Sequence, residues 1–187
     1  MDCFNNKGVI VNIKYTSLHH LETYWLWPNS IPFLLKLIRQ TEIPVVHVAR
    51  ENLFAQYCSY QLAVKNNIWH RQPGEDQTEG TLTLDVKDAE RFMNVMRSWT
   101  AHVQGWLVDY KPYHTLRYEE IFEGDFLSKE VAQIFDGTVS SNPERQAPVP
   151  TRKVTPHLSE VVDNIGGVLE HFKGTQYHEM VRKSLEM

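Results

Sequence analysis

Short apolar runs rich in β-branched residues alternate with longer amphipathic segments along this chain. Two such runs, residues 9–13 and 43–49, suit strands that are buried on both faces of a parallel sheet. A third strand is expected at residues 114–118. Because strands that alternate with helices indicate a sheet covered on both sides, we expect an α/β fold with a central parallel sheet flanked by helices.

Apolar residues recur at helical spacing in the segments between and after these strands. The pattern predicts helices at residues 30–39, 52–66, 88–108, 125–135 and 157–172, with a short final helix from about residue 175. The polar stretches 70–80 and 137–155 lack periodicity and are predicted to be loops. A chain of 187 residues can bury a sizeable core, so we expect one domain over residues 1–187.

Composition narrows the classes of partner and the cellular compartment. A formal net charge of −4 argues against a broad basic surface for nucleic acid or anionic lipid. Cys3 and Cys58 form neither a disulfide framework nor a metal-ligand pattern. The nine histidines show no HExxH spacing, and no apolar run approaches the roughly 18 residues of a membrane span. We therefore expect a cytoplasmic protein without a metal, a membrane contact or a nucleic-acid partner.

Polar residues follow the second predicted strand, where open α/β sheets bind their ligands. Arg50 and Asn52 leave this strand, and Ser59 lies on the next helix, two turns from its start. An arginine fork and a hydroxyl near helix-terminal N–H groups suit a phosphomonoester. An arginine at a strand end also commonly serves in an ion pair or as a cap. The residues by themselves leave both interpretations open.

The order of these residues resembles the sulfotransferase segment that binds the 3′-phosphate of 3′-phosphoadenosine 5′-phosphosulfate (PAPS). Further similarities are Ile68-Trp69, Thr83-Leu84-Asp85, the helix with Trp99, residues 116–121 and Gly174-Thr175, so the likeness covers roughly residues 8 to 178. It implies a P-loop-like sulfotransferase fold with PAPS as the sulfate donor. It also implies that Arg50 and Ser59 bind the 3′-phosphate, although Ser59 lies one position further along than in many members. Arg152 and Lys153 match the family's basic C-terminal loop, although a basic pair in a Pro-rich loop is often solvated charge.

The family's N-terminal strand, Gly/Ser/Thr-rich loop and helix bind the 5′-phosphosulfate and stabilise the leaving oxygen. Residues 1–8 do not supply these elements, so we expect an N-terminally truncated form of the fold. Lys14 matches the family lysine that contacts the leaving oxygen, whereas Thr16 replaces the histidine base. His19 and His20 lie close by, and His20 is the candidate general base. The alternative interpretation is that this histidine pair lies at the start of a surface helix and has no catalytic role.

Three further groups combine a chemical with a structural interpretation. His47, in an apolar strand, is expected to be a hydrogen-bonded core histidine. Residues 118–120 include two carboxylates, but adjacent strand residues point to opposite faces, and we expect a structural role. The aromatic residues Tyr24, Trp25 and Trp27 either line an acceptor pocket or belong to the core.

Three functions remain open on the sequence. The first is a sulfotransferase that transfers sulfate from PAPS to a hydroxyl or amine of a small molecule or glycan. The second is a catalytically inactive or truncated sulfotransferase-like protein that binds nucleotide or interacts with other proteins. The third is an interaction module that shares only the fold with sulfotransferases. A missing edge element would expose a strand that invites pairing, which favours a homodimer.

Overall fold

The helices and strands are taken from a computed structural model that describes residues 11–15, 18, 31–68, 80–111, 113–123, 126–127 and 157–186. The helices are α1 (Phe33–Thr41), α2 (Leu53–Asn66), α3 (Val86–Leu107), α4 (Leu158–Val161), α5 (Ile165–Phe172) and α6 (His178–Glu186). The strands are β1 (Val45–Ala49), β2 (Tyr113–Arg117), β3 (Phe122–Glu123) and β4 (Phe126–Leu127). The described part of the chain is therefore mixed α/β and mostly helical.

β1 and β2 form a small parallel sheet. Val45 pairs with Tyr113 at one end and Ala49 with Arg117 at the other. The chain between them passes through α2 and α3, which is the kind of crossover that parallel strands require. The predicted α/β class is confirmed at this level, with a two-stranded parallel sheet beside several helices.

The strand predicted at residues 9–13 is wrong over the part that the structure describes. Residues 11–14 have no regular secondary structure, and Val11 is 70% exposed. An apolar β-branched run becomes a strand only when neighbours satisfy its backbone groups and cover its side chains. The described partner of β1 is β2, and residues 11–13 do not pair with any described strand.

The other differences also have tertiary causes. Residues 126–127, predicted to begin a helix, instead pair with 122–123, and residues 128–135 lie outside the described part. The predicted helix 157–172 is interrupted because Leu82 makes backbone hydrogen bonds with Val161 and Asp163, at 2.6 and 3.0 Å. Helix α3 begins at residue 86 because the Asp85 carboxylate accepts two N–H groups of the first turn.

Two apolar clusters hold the helices together. The larger one joins α2, α3, α5 and α6, and its fully covered members are Phe54, Cys58, Ala89, Met93, Val168, Phe172 and Val181. Burial raises the pKa of the Cys58 thiol to about 12, so this cysteine packs and does not act as a nucleophile. The second cluster joins α1 to the end of α3 through Leu18, Leu35, Ile38, Val103, Leu107 and Tyr110.

Every helix in the described ranges is too short or too polar to cross a bilayer.

Candidate functional site

The carboxyl ends of the two parallel strands lie side by side, because Ala49 pairs with Arg117. We call this place the carboxyl edge; it comprises Arg50, Glu51 and Asn52 after β1, and Arg117, Tyr118, Glu119 and Glu120 at the end of β2. Residues 118–120 form a single turn of 3₁₀ helix. The predicted strand therefore ends one residue earlier, and the argument from alternating strand faces does not apply to these carboxylates.

Arg50 lies against the ring of Tyr118. The guanidinium carbon is 4.4 Å from the ring centroid, a cation–π distance. Its Nε is buried and has no hydrogen-bond partner among the residues that the structure describes. Contact with a ring face orients a guanidinium without using an oxygen acceptor. The arginine is thus held in place while keeping a buried donor uncommitted.

Glu119 joins the two strand ends through its carboxylate. Its two oxygens accept the backbone N–H groups of Glu51 at 3.2 Å and Asn52 at 3.1 Å. These charge-assisted hydrogen bonds hold the chain in place where it leaves β1 to enter α2. They give Glu119 the structural role that was predicted for residues 118–120.

Asn52 caps α2 and connects it to the C-terminal helix. Its Oδ1 accepts the N–H of Ala55 at 2.9 Å, and its Nδ2 donates to Oγ of Ser184 at 2.8 Å. The Ser184 hydroxyl donates to the carbonyl of Met180 at 2.7 Å. Asn52, and not Arg50, therefore supplies the N-cap of α2.

The ion pairs at the carboxyl edge involve the other arginine. Arg117 contacts Glu51 at 3.3 Å and also pairs with Glu120. Both contacts are exposed, and exposed pairs contribute little to stability. Among the described residues, each glutamate of this edge has a cationic or N–H partner, and Arg50 takes part in none of these contacts. Of the two arginines at the carboxyl edge, Arg50 is therefore the one without an ion pair among the described residues.

Ser59 lies half-buried on α2, seven residues beyond the cap. At 1.5 Å per residue, this separation is about 10 Å along the helix axis. An anion that contacts both Arg50 and Ser59 would therefore lie along the side of α2 and not at its end.

The remaining predicted site residues are reported by their place in the chain. Lys14 is exposed in the irregular segment 11–14. His19 and His20, Thr16, the aromatic residues at 24, 25 and 27, and the basic pair Arg152 and Lys153 lie outside the described residues. His47 is confirmed as a core histidine, 6% exposed, with a tyrosine hydroxyl at each ring nitrogen. Among the described residues, no three His, Cys, Asp or Glu side chains lie close enough to bind a metal ion.

Sequence reasoning missed the partners of Arg50 and Asn52. The Tyr118 contact had a usable signal, because parallel strands place the residues that follow their carboxyl ends next to each other. The Ser184 contact had none, since 132 residues separate it from Asn52.

Replacing Asn52 by alanine is expected to lower the free energy of unfolding by about 1 to 2 kcal/mol, the ordinary value of an N-cap with a further side-chain hydrogen bond. Urea denaturation of Asn52→Ala, Ser184→Ala and the double variant forms a double-mutant cycle. We expect a coupling of about 1 kcal/mol. Additive single effects would show that the hydrogen bond between the two side chains contributes nothing.

Comparison of the chain with protein-family models, curated proteins and solved structures finds no match.

Proposed function

We propose that this chain is a sulfotransferase-like protein that binds a 3′-phosphonucleotide along the side of α2, with PAPS as the sulfate donor. The observation that carries the proposal is Arg50: it directly follows β1, it is oriented by the Tyr118 ring, and its buried Nε lacks a partner among the described residues. A guanidinium with uncommitted donors matches the geometry of a phosphate. The half-buried Ser59 is the proposed second ligand, with a hydroxyl two turns along α2.

The proposed reaction is sulfate transfer to a hydroxyl or amine of a small molecule or glycan. The acceptor atom forms a bond to sulfur, the bond from sulfur to the bridging oxygen breaks, and 3′-phosphoadenosine 5′-phosphate leaves. Negative charge grows on the bridging oxygen, so a nearby cation lowers the barrier. Lys14 is the proposed cation and His20 the proposed acceptor of the proton, with Arg152 and Lys153 closing over the nucleotide. These roles come from the sequence resemblance.

A second candidate is nucleotide binding without catalysis. It is favoured by residues 11–14, which are exposed and irregular, so the strand expected directly before Lys14 is absent over residues 11–13. A lysine on an irregular segment is less well oriented than one on a strand, and orientation is a large part of catalysis. The protein is incubated with PAPS and a panel of hydroxyl and amine acceptors, and the release of 3′-phosphoadenosine 5′-phosphate is measured by chromatography. A sulfotransferase releases this product, whereas a protein that only binds nucleotide does not.

The experiment that tests the proposal is calorimetric titration of 3′-phosphoadenosine 5′-phosphate. We expect wild type to bind and Arg50→Ala to bind about 10-fold to 100-fold more weakly, the range for a lost charge-assisted hydrogen bond. The matched control is Arg91→Ala, an exposed arginine on α3 that pairs with Asp88, and it should bind as wild type does.

Adenosine 5′-phosphate provides a ligand control for the same titration. It lacks the 3′-phosphate, so it should bind more weakly than the 3′-phosphonucleotide. Its affinity should be the same for wild type and for Arg50→Ala. The proposal is wrong if wild type does not bind the 3′-phosphonucleotide, or if Arg50→Ala binds it as well as wild type does.

A further inference from the structure

A buried histidine in the middle of β1 connects four parts of the described chain. Nε2 of His47 lies 2.6 Å from the hydroxyl of Tyr15, and Nδ1 lies 2.8 Å from the hydroxyl of Tyr113 on β2. The Tyr15 hydroxyl also lies 3.2 Å from Oγ1 of Thr100 on α3. One hydrogen-bonded network therefore links the N-terminal segment, β1, β2 and α3.

Aromatic packing surrounds this network. The Tyr15 ring stacks on Trp99 with centroids 6.3 Å apart and meets the His47 ring edge-on at 5.8 Å. Residues 11–14 are exposed, whereas Leu18 is buried in the second apolar cluster. Tyr15 is thus the polar attachment of the N-terminal segment to the sheet, and Lys14 immediately precedes it.

The network fits a neutral imidazole. A neutral ring has one N–H donor and one acceptor nitrogen, so one tyrosine donates to it and the other accepts from it. An imidazolium has two donors, so the donating tyrosine would have to turn its hydroxyl proton away. Both ring nitrogens face tyrosine hydroxyls, and within the described part of the chain no carboxylate forms an ion pair or hydrogen bond with either of them.

Among the described residues within three sequence positions of the network, no side chain is an aspartate or a glutamate. The network and its stacked ring comprise His47, Tyr15, Tyr113, Trp99 and Thr100. The other titratable side chains within that sequence window are Lys14, Arg50, Arg97, His102, Tyr110, Lys111 and His114. Apart from Tyr110, all of them are basic. Burial of the ring lowers the pKa of His47 below its ordinary value, since a charge is costly away from water.

We propose that His47 is a pH-sensitive latch that holds the segment around Tyr15 against β1 and α3 while the imidazole is neutral. The latch is independent of the proposed sulfate chemistry, because it rests on contacts of Tyr15, Tyr113 and Thr100 alone.

The direction of the pH effect follows from proton linkage. An open segment exposes His47, whose pKa returns to about 6.5. The latched ring binds its proton less readily, so the latch is complete above that pH and weakens as the pH falls through it. Below the pKa of the latched ring, both the open and the latched forms are protonated, so the stability of the latch no longer changes with pH.

The test is hydrogen–deuterium exchange of the full chain, read on peptides that cover residues 11–18 and corrected for the intrinsic pH dependence of exchange. Between pH 7.5 and pH 5.5, protonation of an imidazole with a pKa of about 6.5 in the open form raises the opening equilibrium by at most about 10-fold, the limit for a latched ring that stays neutral. We expect this increase in wild type, with an unchanged far-ultraviolet circular dichroism spectrum at both pH values.

Variants separate the latch from a general effect of acid. His47→Gln keeps one donor and one acceptor but does not titrate, so its exchange should not change with pH. Tyr15→Phe removes the hydroxyl that bonds to His47, so exchange of residues 11–18 should be fast at both pH values. This variant tests the proposal independently if His47→Gln does not fold. His102→Gln, at an exposed histidine on α3, should behave as wild type. Equal pH responses in wild type and both network variants, or no response in wild type, would overturn the proposal.

Discussion

Phe172→Ala is expected to lower the free energy of unfolding by about 3 to 5 kcal/mol, the usual cost of truncating a buried phenylalanine. Phe172 is fully covered, and its ring meets Phe54 of α2 at 6.3 Å and Tyr177 at 6.4 Å, both edge-on. Truncation removes these aromatic contacts and leaves a cavity between α2 and the C-terminal helices.

Urea denaturation followed by circular dichroism measures this loss. The control is Val95→Ala on α3, where the side chain is 48% exposed, and it should change stability by no more than about 0.5 kcal/mol. A loss below about 1 kcal/mol for Phe172→Ala would contradict the packing of α5 on α2.

Leu107→Ala is expected to cost about 2 to 5 kcal/mol. Leu107 is fully covered at the end of α3, in the cluster that joins this helix to α1. The adjacent Val108 is 72% exposed, so Val108→Ala is a control at the next position in the chain and should be nearly neutral. Equal losses at the two positions would mean that α3 presents a different face to α1.

The two core variants together test the expectation of one domain. Phe172 and Leu107 belong to separate apolar clusters, which are bridged by α3. In a single cooperative unit, both variants shift the same unfolding transition. Two transitions, each moved by one variant, would show that the clusters unfold independently.

The long helices could be predicted closely because their signals are local. The predicted helix 52–66 corresponds to α2, which spans Leu53–Asn66, because apolar residues recur there at helical spacing. The predicted helix 88–108 similarly corresponds to α3, although its start depended on the Asp85 cap. β1 and β2 were also predicted within two residues of their ends.

The candidate site was predicted in part. Arg50 could be singled out because polar residues at the carboxyl end of a parallel strand are typical of ligand sites. Its orientation by Tyr118 and the linkage of Asn52 to Ser184 needed the fold, since the partners are distant in sequence. His47 could be assigned to the core from its apolar strand, but the two tyrosines that hold it come from different elements.

The sequence by itself determined the long helices α1, α2 and α3, whose hydrogen bonds close within a few residues, and the apolar character of β1 and β2. Only the tertiary structure decided the elements whose backbone needs a distant partner. Residues 11–13 have the composition of a strand yet lie exposed, because no paired strand is present among the described residues. Residues 162–164 have helical periodicity yet leave the helix. Leu82 forms backbone hydrogen bonds with Val161 and Asp163, and the Asn164 side-chain amide bonds to the backbone N–H and C=O of Leu84. Local patterns state what a segment prefers, and the preference is overridden where burial and backbone pairing are supplied from elsewhere.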